Sequence, residues 1–197
     1  MISLFRSFLI SVFSSVWRRR LTFVVLNWLF FGFMLIASLL PQFGSGGVPL
    51  LLGDEVFVAE SQQPWLLFIS VFVWNLVVSG FVLLSLSGLV FFVLPVGLLL
   101  VRAWLWGVLL TGLPTSSFLV ALPTLILEGE GYVLAGLAGM YLGLSWLSPK
   151  RAYGDDGLSR MESLKKAFGE CVRIYILVVL FLLAAAVVET LTLVLVF

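Results

Sequence analysis

No charged residue interrupts the chain between Leu21 and Leu40. A helix of that length spans ~30 Å at 1.5 Å per residue, the thickness of a bilayer's hydrocarbon core. Comparable apolar runs recur at 65–86, 89–112, 116–147 and 174–197. The chain therefore reads as all-α, a polytopic membrane helix bundle of five spans. The composition agrees: 62% of the 197 residues are hydrophobic, 11% are charged, and the mean hydropathy is +1.22. Soluble domains run at about 45–50% apolar and about 25% charged. Residues 1–197 form a single integral membrane domain on this reading.

Residues 1–20 have the pattern of an interfacial amphipathic helix. Ile2, Phe5, Leu9, Val12 and Val16 recur at helical spacing, with Ser3, Ser7, Ser11, Ser14 and Arg18 on the other side. A signal peptide is the weaker reading, because its n-region would be too long and no clear small-residue cleavage site follows. Between the first two spans, Gln42–Pro64 carries Asp54, Glu55 and Glu60. Gly44–Gly47 reads as a turn there, and Val48–Leu52 as a dip into the interface. Ser85-Leu86-Ser87-Gly88 is expected to turn the chain into the third span, Pro95 to kink that span, and Leu113-Pro114-Thr115 to turn it again. Residues 148–173 form a polar loop, with a short surface helix at Leu158–Phe168 and Arg173 leading into the last span.

Ten of the eleven basic residues then fall on one side of a five-span bundle: Arg6, Arg18, Arg19, Arg20, Lys150, Arg151, Arg160, Lys165, Lys166 and Arg173. The positive-inside rule makes that side cytoplasmic, with the C-terminus outside, in a multi-pass protein of the cell membrane. Trp17, Trp65 and Trp146 sit near span ends, as an aromatic belt places them.

The fourth run, 116–147, is overlong: ~48 Å as one helix. It also holds two carboxylates, Glu128 and Glu130, alternating with Gly129 and Gly131. A helix-centre carboxylate costs at least ~2.5 kcal/mol on insertion scales, and each glycine weakens a helix by ~1 kcal/mol relative to alanine. Both features point to a broken helix at Glu128–Gly131, with Glu128 and Glu130 as ligand or ion site candidates. Thr124 lies four residues before Glu128, on the same face of a regular helix. The bland reading of both acids is capping, since carboxylates are favoured at a helix start. Arg102 is the remaining basic residue and lies inside the third span. It stays charged, so it needs a carboxylate partner or else must snorkel to the interface. Depth alone ranks Glu189 first for that buried pair and Glu128 second. Asn75, in span two, is a further polar candidate, expected to bond another helix. A stripe of small residues, Ala135, Gly136, Gly139 and Gly143, favours close helix packing.

Pro123-Thr124-Leu125-Ile126-Leu127-Glu128 followed by Ala135-Gly136-Leu137-Ala138-Gly139-Met140-Tyr141-Leu142-Gly143 resembles the stage II sporulation protein M family, whose pattern is roughly Pro-His-Gly-x-x-Glu before a small-residue helix. Asn75 resembles the family's span-two Asn. The family's Asn-Gly pair corresponds to Arg102-Ala103 here, ahead of a retained Gly107, and its His is Thr124. The resemblance covers roughly Trp65–Leu147. It implies a membrane component of a larger assembly; in spore-forming bacteria such proteins act with cell-wall hydrolases during engulfment. Whatever the family His does is not carried onto Thr124.

Three functions compete. A non-enzymatic scaffold with a polar intramembrane site at Glu128 comes first, because no nucleophile–base pair is legible. A transporter or channel component moving an ion or small solute is second, because a broken helix with midplane carboxylates is a transporter device. An intramembrane enzyme is third. The chain has no His and one cysteine, Cys171, so zinc and haem sites of the usual types and an intramolecular disulfide are not expected, nor is any cofactor or catalytic set. The expected partners are the lipid bilayer, other membrane or cell-envelope proteins, and a second copy in a homo-oligomer; nucleic acid is not.

Overall fold

The computed structural model describes residues 2–40, 63–111, 115–154 and 157–196. The expectations for Gly44–Gly47, Val48–Leu52 and the Leu113-Pro114 turn fall outside them, as do the side chains of Ile2, Phe5 and Leu9. Regular structure among the described residues is entirely helical. The helices are α1 (Ile2–Trp17), α2 (Arg20–Leu39), α3 (Pro64–Val90), α4 (Leu94–Thr111), α5 (Thr115–Leu147), α6 (Pro149–Tyr153) and α7 (Arg160–Val196). Five of them, α2, α3, α4, α5 and α7, are long and apolar enough to cross a bilayer. Their outward side chains are what lipid would solvate: Leu21, Trp28 and Leu39 are each more than three-quarters exposed.

α5 is the axis of the bundle. It is one α-helix of 33 residues, unbroken through Glu128–Gly131, so the expected break is not there. The glycines serve packing instead. A Cβ on Gly129 would press into the rings of Phe30 and Phe31, and one on Gly131 into Leu182. The excess length is absorbed by pairing: α5 packs most extensively along α7, itself 37 residues long. The two run antiparallel, with Gly131 against Leu182 and Cys171 donating through its thiol to the Ala138 carbonyl at 3.3 Å. Further along α5, a Cβ on Gly139 would overlap the Leu84 carbonyl, and one on Gly143 the Gly88 carbonyl. Here α3 and α5 touch backbone to backbone, the close approach that small residues permit between helices in lipid.

The irregular backbone lies in α3. Residues Trp74–Leu86 form a π-helix, in which each turn takes an extra residue. The helix then continues to Val90, so Ser85–Gly88 is not the expected turn. Ser85 is held inside by hydrogen bonds with the Ala135 carbonyl (2.9 Å) and the Tyr175 hydroxyl (2.6 Å). The chain turns at Phe91–Val93 instead. Pro95 then falls in the first turn of α4, where its missing N–H has no partner to lose, and so it causes no kink.

The polar connection is shorter than expected. The surface helix and the last span are one helix, α7, beginning at Arg160. Ser159 starts it with a reciprocal cap: the Glu162 amide donates to Ser159 Oγ at 3.3 Å, and the Ser159 amide donates to Glu162 Oε2 at 3.0 Å. α1 forms as a helix but presents a different face from the one its pattern suggests. Val12 and Ser15 are buried in the bundle, and α1 packs mainly on α7.

Candidate functional site

Four side chains from three helices meet in the interior. Arg102 on α4 is 5% exposed and Glu128 on α5 is 7% exposed. Arg102 Nη2 lies 3.1 Å from Glu128 Oε1, a buried ion pair. Arg102 Nη1 donates to Ser79 Oγ on the π-helical part of α3 at 3.0 Å, and Nη2 also donates to the Tyr132 hydroxyl at 2.5 Å. Tyr132 in turn donates to Glu128 Oε1. Glu128 and Tyr132 are four residues apart on an unbroken helix, which puts both on the face toward α4. The uninterrupted helix is thus what assembles the cluster.

Aromatic rings close it in. The Arg102 guanidinium lies 4.0 Å from the Tyr132 ring centroid and 5.5 Å from that of Trp106. Trp106 stands edge-on to Phe30 of α2 at 5.6 Å, and Tyr132 is fully buried. In a low-dielectric interior such charges persist only when paired and hydrogen-bonded. Arg102, Glu128, Tyr132 and Ser79 meet that condition together. Of the two acids ranked for Arg102, the structure supplies Glu128, the second. Glu189 sits half-buried near the far end of α7.

The other expected residues are dispersed. Glu130 points away from Glu128, toward Asn27 on α2. Thr124 is half-buried one turn before Glu128. Asn75 is 5% exposed, four residues before Ser79 in the π-helix, and its Oδ1 has no hydrogen-bond partner.

A second buried charge pair was not anticipated. Arg19 and Glu170 form an ion pair, each side chain 7% exposed, and Arg18 approaches the same carboxylate at 3.6 Å. The Arg19 guanidinium lies 3.6 Å from the Tyr141 ring centroid. Nearby Tyr153, on α6 outside the spans, has its hydroxyl pKa raised, first by burial. This pair ties the start of α2 to α7. Its signal was present: Glu170 and Cys171 precede the basic residue that opens an apolar run. Arg19, however, is indistinguishable in sequence from its two arginine neighbours.

The fold and its interior define a class: a multi-pass helical membrane protein with charged clusters sealed between its helices. The sequence profile of the family described as Stage II sporulation protein M matches residues 21–192. The chain belongs to that family. Neither a curated protein nor a solved structure matches it.

Proposed function

We propose that the chain is a non-enzymatic scaffold within a membrane assembly, and that the cluster at Glu128 holds its helices in register. The supporting observation is that Arg102 places its guanidinium on acceptors from two other helices, Ser79 of α3 and Glu128 and Tyr132 of α5, all inside the protein. A buried network that engages both Nη groups of Arg102 fixes geometry and leaves little for a substrate to bind. The expected result in proteoliposomes is no proton, sodium or potassium flux above lipid alone. In native-membrane extracts the protein should migrate in a complex larger than its own oligomer, and Glu128→Gln should loosen that complex. Flux that Glu128→Gln abolishes would replace this reading with a transporter.

The transporter reading has one observation of its own. Asn75 carries a buried oxygen without a hydrogen-bond partner, in a π-helical stretch beside Ser79. π-helical turns occur frequently at functional sites. The same flux measurement on Asn75→Leu separates the two readings.

A further inference from the structure

α1 docks by one face and leaves the other bare. Val12 and Ser15 face inward, each 1% exposed, and Arg19 beyond them is held by Glu170. Outward stand Arg6, Ile10, Phe13 and Trp17, at helical spacings of four, three and four, with Ile10, Phe13 and Trp17 59%, 61% and 68% exposed. Arg20 continues the line, its guanidinium 5.1 Å from the Trp17 ring centroid. The stripe borders an open groove of about 470 Å³ that Val16 and Ser14 floor. This is not the Val12 face that the sequence pattern singled out.

Charge says what covers the stripe. No Asp or Glu occurs before Asp54, so α1 and the start of α2 carry arginines alone. Exposed aromatic and aliphatic carbon edged by arginine is the composition of a helix lying on anionic lipid. The surface also runs on into the lipid-facing side of α2, where Leu21 is 78% exposed. We propose that this stripe binds anionic phospholipid, with acyl carbon against Ile10, Phe13 and Trp17 and the headgroup phosphate against Arg6, Arg18 and Arg20. It does not depend on what the Arg102 cluster does.

The test uses the full chain with a nitroxide on Phe13→Cys, the native Cys171 being buried. The protein is reconstituted in phosphatidylcholine vesicles with and without phosphatidylglycerol. Collisions with oxygen should exceed those with a water-soluble nickel complex, more so when phosphatidylglycerol is present. A label open to the nickel complex in both vesicles overturns the proposal, and so does one shielded from both reagents, which would mean that protein covers the stripe. Native mass spectrometry provides a second readout. Phosphatidylglycerol retained by the parent should fall about five-fold for each arginine changed in Arg6→Gln, Arg18→Gln and Arg20→Gln, matching ~1 kcal/mol per basic residue near an anionic surface. The Lys replacements at the same three sites should keep it. Equal retention by the Gln variants overturns the proposal.

Discussion

Arg102 and Glu128 face each other across the α4–α5 interface at 3.1 Å, and the Tyr132 hydroxyl bonds to both. Removing one partner of such a buried pair strands the other, which typically costs ~3–5 kcal/mol. Arg102→Leu should therefore lower the melting temperature sharply in detergent. Adding Glu128→Leu should recover part of the loss. A double-mutant cycle with no coupling between the two sites would remove the pair from the account of stability.

The glycines of α5 give a second expectation. Gly139→Ala drives a methyl into the Leu84 carbonyl and Ser85, and should destabilise by ~1–3 kcal/mol, the usual cost of overpacking. Gly169→Ala, on α7 with nothing within 4 Å of the new methyl, should be neutral or gain up to ~1 kcal/mol of helix propensity. Thermal denaturation of the two variants side by side distinguishes contact from conformation. Equal effects would mean that the α3–α5 approach is not tight.

The cap on α7 is sensitive to pH. Hydrogen bonds from the Ser159 hydroxyl and amide hold the Glu162 carboxyl below its ordinary value. A carboxyl depressed by folding contributes stability above its unfolded pKa, near ~4.3, and loses it as pH falls through the folded value. Amides at 160–163 should thus show lower protection factors in acid, corrected for intrinsic exchange, than at neutral pH. Ser159→Ala should show the acid pattern already at neutral pH.

Topology is a separate expectation. By the positive-inside rule, the ten basic residues are expected to put the N-terminus and the 149–169 segment in the cytoplasm. Cysteines placed at Lys150 and Lys165 should react with a membrane-impermeant maleimide only after cells are opened. Labelling of intact cells at either position would invert the orientation.

The number and order of the spans were legible because hydrocarbon thickness sets a length that the sequence has to match. The interior was legible only in part. Arg102 announced itself, since a permanent cation inside an apolar run needs an acid. Which acid depended on helix continuity, and there the glycines misled. Gly129 and Gly131 weaken an isolated helix, but against Phe30, Phe31 and Leu182 the missing side chains are what let α5 pack while staying whole. Tyr132 was overlooked because a tyrosine in an apolar run carries no charge signal, although its spacing of four from Glu128 was there to read. The Ser159-x-x-Glu162 cap was equally visible and would have started α7 correctly. The π-helical stretch in α3 has no periodicity signature in so uniformly apolar a segment.

The Arg19–Glu170 pair joins residues 151 positions apart, whereas Arg102 and Glu128 are separated by 26. Chains are made at ~5–20 residues per second, so the interior pair can close within roughly 1–5 s of Arg102 being synthesised, while Arg19 waits roughly 8–30 s for its acid. Until then its charge lacks the acid it pairs with. Arg19 stands just before α2, so α7, made long after it, is the helix that locks the start of α2 in place.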